Sequence, residues 1–473
     1  MSQIDEPLRI AVVGHTNTGK TSLLRTLTRD RLFGAVHDAP GTTRHVESAP
    51  VMLDGQPALV WYDTPGLEDS VSLRDYIETI GDGVTRLDGH DRIERFLQDP
   101  MARTMFEQEH RVLVQAMQSD ALLYVVDARD RVLAKHRDEL FLLQACARPV
   151  LPVLSFVASP YADTKPWVQV FARQGMHMHL LFDSVSPPIN GQQMMYDTLG
   201  QLLAEHRALF NALSQSVVQQ RRDRMTAAIE LLAALCVTVA SLNLLVKDEA
   251  VAIEQAITTQ QDDVRALEKA FVDQVLNLYE FSLEDYLPAT EGWSSGQWQA
   301  DVFSEHTLAE LGINLGKGAA VGAAAGAVVD ILSAGLSLGT GTLIGAAAGS
   351  AWQGVDRFGK DMAAKWRGQR TLMINDAVVL AIATRNIRLL LALEQRGHAS
   401  YRPVVLDNAK DAATSFDHAE LLAAISPVRQ QSLKRQLLSM VGSPPSNATA
   451  TEAVKQVLLH ANVLRPLMVD GLH

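Results

Sequence analysis

The chain is poor in the features that mark secreted, disulfide-bonded or nucleic-acid-binding proteins. Only two of its 473 residues are cysteines, Cys146 and Cys236, both inside apolar stretches. That excludes a disulfide framework and a thiolate metal site, and it fits buried thiols in a reducing compartment. Basic residues are in deficit: 42 Lys and Arg stand against 54 Asp and Glu, for a formal net charge of −12. The chain as a whole therefore exerts no pull on nucleic acid, and no direct nucleic-acid partner is expected. The one dense basic cluster, Arg221, Arg222 and Arg224 in QQRRDR, reads either as a local basic patch or, more simply, as a solvated helix face. The opening MSQIDEPLRIAVVG has no basic segment followed by an apolar core, so no signal peptide and a cytoplasmic location are expected. His37, His45, His177 and His179 have no metal-site partner at a recognised spacing. No Ser, Cys or His nucleophile motif is recognisable, nor a repeat at solenoid periods.

What is present begins with an alternation of strands and helices. Residues 8–13, LRIAVV, form a short apolar run ending at a glycine, the pattern of a buried parallel strand. Further strand candidates are 58–63, 121–128, 149–158 and 179–185. Helical periodicity occupies 20–29, 103–118 and 134–147. This order predicts an α/β fold with a doubly wound, mostly parallel sheet over residues 1–190. Past Pro187-Pro188 the pattern turns helical, which places a mainly α-helical region at 191–473. With 47% hydrophobic residues, both regions can bury cores.

Residues 14–21, Gly14-His15-Thr16-Asn17-Thr18-Gly19-Lys20-Thr21, fit G-x-x-x-x-G-K-[ST] completely, between a strand and a helix. Such a loop curls its backbone N–H groups inward around phosphate oxygens, and the helix that follows, through Ser22, adds its N-terminal donors. Lys20 brings an ammonium to the phosphates and the Thr21 hydroxyl suits Mg²⁺. Asp63-Thr64-Pro65-Gly66 closes a strand candidate: the Asp63 carboxylate can hold Mg²⁺, and the Gly66 N–H can meet a γ-phosphate. Between them lies Pro40-Gly41-Thr42-Thr43-Arg44, whose threonines can close onto Mg²⁺ when the γ-phosphate is present. His15 either reaches a phosphate or faces solvent.

The order GHTNTGKT, PGTTR, DTPG resembles the Era/EngA/MnmE branch of P-loop GTPases over residues 8 to about 185. The resemblance implies a domain that binds GTP and GDP with Mg²⁺, hydrolyses GTP, and switches conformation with the γ-phosphate. Lys20, Thr43 and Gly66 would carry the chemistry. Thr21, Thr43 and Asp63 would hold Mg²⁺, with Thr42 second to Thr43. Asn17 matches an asparagine that helps hold K⁺ in some members; the alternative is a side chain that only steadies the loop. Two departures stand out. Leu67 occupies the place where Ras-like enzymes carry a water-orienting glutamine, so slow turnover is expected unless a cation, Glu68, Asp69, a second copy or an activating protein helps. The guanine-reading Asn-Lys-x-Asp is missing: its slot reads Ser155-Phe156-Val157-Ala158. Ser155 and Phe156, the latter covering a base face, are the base-side candidates, and ATP remains an alternative to GTP. A nucleotide-loaded recruitment module with little hydrolysis is a further reading.

The stretch 68–120 is longer than one switch loop and helix require, and predicts an inserted helical subdomain, either a partner-contacting element or a passive one. Residues 226–246 read as an apolar helix, either a core helix or a membrane-contacting one, the core being favoured. In 311–354, glycines recur every four residues (Gly318, Gly322, Gly326; Gly341, Gly345, Gly349), which predicts a Gly-zipper helical hairpin. Its uncharged run from Ile331 to Trp352 is long enough for hydrocarbon, so it either contacts a membrane or packs as a soluble hairpin. The whole order also resembles a bacterial GTPase family whose C-terminal domain has no assigned function.

Overall fold

The computed structural model describes residues 6–34, 46–81, 87–286, 302–303, 307–308, 311, 313, 329–333, 369–400, 416–437 and 447–461. It divides into two compact units, Met1–Gln220 with Gln395–Tyr401, and Arg221–Glu394 with Arg402–His473.

The first unit is built on strand β1 (Leu8–Val13), whose side chains alternate between two cores. Ile10 and Val12 join one core, and Ala11 and Val13 the other. A strand buried on both faces needs helices on both sides, which is why its sequence is a continuous apolar run. Helix α1 (Lys20–Thr28) follows. Strands β2 (Glu47–Leu53) and β3 (Gln56–Asp63) form a hairpin at Asp54-Gly55. The sequence reading missed β2; the signal was Asp-Gly with φ of 51° and 78°, the pair that a primed turn favours. Next come α2 (Ser70–Thr79), α3 (Gly89–Gln98), α4 (Pro100–Met105), α5 (Glu107–Met117), β4 (Ala121–Asp127), α6 (Ala134–Ala145), β5 (Val150–Ser155), α7 (Lys165–Arg173), β6 (Leu180–Leu181) and α8 (Gly191–Leu202). The sheet order is β2-β3-β1-β4-β5-β6, parallel throughout except for β2. The predicted doubly wound α/β fold is the fold observed.

Two sequence boundaries shift for local reasons. The single helix expected at 103–118 is two, because Asp99 caps a new start at Pro100 and Phe106 leaves helical geometry. Phe106 instead packs its ring against Tyr76 and Phe96. Strand β6 is far shorter than 179–185, because the Asp183 carboxylate accepts from the N–H groups of Val185 and Ser186 and turns the chain.

Helix α9 (Arg207–Ser241) contains the boundary between the units, at Gln220. Its early residues Phe210 and Leu213 share the sheet-side core with Tyr196 and Leu199 of α8. Among the described residues, one helical segment, Ala204–Ser241, is long and apolar enough to cross a membrane, with 56% of its most apolar window buried.

The second unit continues with β7 (Asn243–Lys247), α10 (Ala250–Leu278), α11 (Leu283–Tyr286), β8 (Val329–Ser333), β9 (Gln369–Ile374), α12 (Asp376–Glu394), α13 (His418–Leu437) and α14 (Ala448–Leu459). It is mainly helical, but β7, β9 and β8 form an antiparallel sheet that the sequence reading did not anticipate. The apolar helix expected at 226–246 ends at Ser241, and Asn243–Lys247 is strand; its apolar run continues the helical pattern without punctuation. The hairpin expected at 311–354 is corrected at Val329–Ser333, which pairs with β9 as strand; its glycine stripes lie outside the described residues. Arg221 is not solvated: it is 8% exposed, and the Arg224 guanidinium lies 5.8 Å from the Tyr279 ring centre. The core includes one polar knot, where the Glu268 carboxylate accepts from Arg385 Nε (3.0 Å) and Asn386 Nδ2 (2.9 Å). Buried charges persist when paired this way.

Candidate functional site

Residues 14–21 curl between β1 and α1 as the sequence predicts. Gly14 holds φ 147°, and a Cβ there would stand 2.4 Å from the Val125 carbonyl oxygen, so only glycine fits. Asn17 is exposed at φ 65°, and Gly19 turns into the helix at φ 92°. Thr18 braces the loop by donating to the His15 carbonyl at 3.0 Å. Lys20, 7% exposed, folds back along the loop and donates to the carbonyls of Gly14 (3.2 Å) and His15 (2.7 Å). Burial lowers its pKa to about 8, and Asp63, Glu139 and Glu68 pull it back upward. Ser22 lies half-buried in the first turn of α1.

The Thr21 hydroxyl donates to Asp63 Oδ2 at 2.6 Å. A hydroxyl and a buried carboxylate side by side, beside the phosphate loop, are the hard oxygen donors that Mg²⁺ takes together with phosphate oxygens. No cluster of three or more His, Cys, Asp or Glu suited to a metal exists among the described residues. Gly66 lies against the loop: a Cβ there would stand 2.2 Å from Thr16 Oγ1. The Leu67 N–H donates to the Gly14 carbonyl (3.1 Å) and its side chain is fully buried, so it cannot orient water. Thr42 and Thr43 lie outside the described residues.

The His15 ring is half-buried and turns to helix α6. Its Nδ1 is 3.0 Å from Glu139 Oε1 and its Nε2 is 2.7 Å from Lys135 Nζ, both from α6. An ammonium only donates, so Nε2 accepts and Nδ1–H donates to Glu139. Tyr124 donates to the other Glu139 oxygen at 2.7 Å, and burial beside that carboxylate holds the phenol well above its ordinary range.

Sequence reasoning also missed the residues that hold the segment after Asp63. From α5, Gln108 Nε2 donates to the Gly66 carbonyl at 2.6 Å, and Glu109 Oε1 accepts from the N–H groups of Glu68 (3.1 Å) and Asp69 (3.0 Å). Thr16 Oγ1 donates to Glu68 Oε1 at 3.2 Å. Helix α5 therefore pins this segment, a role with no local sequence signal.

On the base side, Ser155 and Phe156 close β5 beside Gly19. Phe156 holds φ 55°, which bulky side chains rarely adopt. Arg129, paired with Asp127, lies 4.0 Å over its ring, so Phe156 has at most one face left for a base. Ser155 Oγ and Ser184 Oγ are buried with no hydrogen-bond partner among the described residues. Asp183 Oδ2 accepts from the Ala158 N–H at 3.2 Å, tying the loop after β6 to the slot that lacks the usual aspartate.

Fold and loop together define a P-loop nucleotide-binding domain, and its similarity to known proteins makes it one of the Era/EngA/MnmE-like GTPase type. Residues 9–155 match the family described as 50S ribosome-binding GTPase. Residues 169–458, more than half of the chain, match the Domain of unknown function (DUF3482), and the chain belongs to that family. It is similar to GTPase Der from Xylella fastidiosa, 32% identical over 148 residues, covering 31% of this chain and 25% of that protein. It is also similar to the tRNA modification GTPase MnmE from Synechococcus elongatus, 32% identical over 138 residues, covering 29% of this chain and 28% of that protein. The match thus spans about a quarter of the length of each relative. A crystal structure of Era in complex with MgGDPNP and a segment of 16S ribosomal RNA is similar at 16% identity and a TM-score of 0.25, covering 38% of this chain and 51% of that one.

Proposed function

We propose that the chain binds GTP with Mg²⁺, hydrolyses it slowly to GDP and phosphate, and changes state with the γ-phosphate. The observation that carries this reading is the loop 14–21, with Lys20 buried in it and Thr21 in contact with Asp63. Lys20 neutralises phosphate charge, backbone N–H groups of the loop orient the polyphosphate, and Gly66 senses its end. Mg²⁺ held by Thr21, Asp63 and, when the switch loop closes, Thr43 would offset the charge shared by the β- and γ-phosphates. The Ser155 and Ser184 hydroxyls, buried and without a hydrogen-bond partner among the described residues, support a ligand on the base side, since buried polar groups are rarely left unpaired. Guanine rather than adenine rests on the relatives.

Buried Leu67 favours a second reading, a nucleotide-loaded module that recruits partners and scarcely turns over. The proposal further divides the chain into a GTPase domain at 1–190, with its insertion at 68–120, and a helical effector region at 191–473. K⁺ at Asn17, a second copy or an activating protein would supply the missing help. Membrane contact through 311–354 rests on its glycine spacing and its uncharged run from Ile331 to Trp352. Phosphate release from Mg·GTP by the full chain, in K⁺ and in Na⁺ at two protein concentrations, tests the reading. Slow release that K⁺ or concentration accelerates is expected. Equal rates everywhere would remove the activation, and tight binding with turnover no faster than buffer would select the recruitment module.

A further inference from the structure

We infer that the turn Gly397–Ser400 is the outer wall of the base side of the nucleotide site, with Gly397 a positioning residue that sets how long nucleotide is held. The inference rests on the nucleotide-binding reading above. The turn belongs to the segment Gln395–Tyr401, which joins the sheet-bearing unit although Glu394 and Arg402, its chain neighbours, belong to the helical one.

All four residues from Gly397 to Ser400 are buried, unusual for a connecting turn. Within the turn, the Ser400 N–H donates to the Gly397 carbonyl (3.0 Å), and Arg396 Nη2 donates to the Ser400 carbonyl (3.1 Å). Outward, the Gly397 N–H donates to the Val185 carbonyl at 3.1 Å. A Cβ at 397 would stand 2.0 Å from the Ser184 carbonyl oxygen and 3.0 Å from Thr26 Oγ1, so this contact admits only glycine. The Ser184 carbonyl also accepts from Thr26 Oγ1 at 2.8 Å. Helix α1, which begins at Lys20, and the turn therefore hold adjacent carbonyls of one loop, those of Ser184 and Val185.

On the other side of that loop, the Asp183 carboxylate accepts from Val185 (2.9 Å), Ser186 (3.1 Å) and Ala158 (3.2 Å) N–H groups. The loop 183–186 is thus held by Asp183 through its amides, and by Thr26 and Gly397 through its carbonyls. It stands next to the end of β5, where Ser155 and Phe156 face the phosphate loop. A base seated there would lean on a loop whose outer support comes from a segment about 200 residues further along the chain. Anything that draws the turn away, whether a partner on the C-terminal region or a rearrangement within it, would loosen the nucleotide.

The test is release of N-methylanthraniloyl-GDP from the full chain, wild type against Gly397→Ala, with single-turnover cleavage at saturating GTP. Roughly tenfold faster release and a matching rise in Kd are expected, with the single-turnover rate unchanged. A merely structural role would lower cleavage and the melting temperature together. If Gly397→Ala melts like the wild type and releases nucleotide at the wild-type rate, the inference is overturned. If that variant does not fold, Arg396→Ala, which loosens the turn from within, takes its place; wild-type release there overturns it equally. A wild-type chain that holds no guanine nucleotide overturns the reading of the site itself.

Discussion

Replacing Lys20 with alanine is expected to weaken Mg·GDP and Mg·GTP binding by roughly a hundredfold or more, since it deletes a charge-assisted contact to the polyphosphate inside a closed loop. The variant should remain folded. In the wild type the Lys20 ammonium donates to the carbonyls of Gly14 and His15, and without it those oxygens still accept from the Leu67 N–H and from Thr18 Oγ1. The same residue predicts a pH dependence. Burial lowers the Lys20 pKa to about 8 in the free protein, and a bound polyphosphate raises it again. Below pH 8 the ammonium is present in both states and affinity is flat. Above it, binding must first take up a proton, so affinity falls with rising pH, at most about tenfold per pH unit. Titration calorimetry across that range checks both the sign and its disappearance in Lys20→Ala.

Gly66→Ala is expected to separate the two nucleotides. A Cβ at 66 would lie 2.2 Å from Thr16 Oγ1 and 2.6 Å from the Thr16 Cα, so alanine forces the segment off the phosphate loop. Gln108 and Glu109 hold the segment from the other side and resist its retreat. The γ-phosphate then loses its backbone donor, whereas GDP does not use it. Hydrolysis should fall about a hundredfold, the usual scale for removing one oriented donor, with GDP affinity changed by less than about threefold. Single-turnover cleavage and GDP binding on the same preparation check this. Undiminished cleavage would remove Gly66 from the γ-phosphate.

The parts of the site that were legible in the sequence are those made by contiguous residues. The curl of 14–21 is encoded by its own glycines and by the strand and helix that bracket it, and Asp63 is placed by the end of β3. The parts that were not legible come from packing. Glu139 reaches His15 from α6, Gln108 and Glu109 reach 66–69 from α5, and Asp183 reaches Ala158 across two strands. No local pattern marks these residues, because each looks like an ordinary polar position on its own helix or loop. The same holds for β7, where Leu244, Leu245 and Val246 extend an apolar helical run without a Gly or Pro to separate them. By contrast, β2 carried a local signal, the Asp54-Gly55 turn, that the sequence reading passed over. Leu67 was recognised as unable to orient water, and burial within the α2–α6 core gives the physical reason for its apolar character.

The central claim is that the loop 14–21 grips the polyphosphate of a guanine nucleotide. Its most direct test is calorimetric titration of the full chain with GDP and with ADP, each with Mg²⁺. The account predicts saturable one-to-one binding of GDP, at least about tenfold tighter than ADP. Heat from neither nucleotide would contradict the grip itself, and equal affinity for both would contradict guanine as the base.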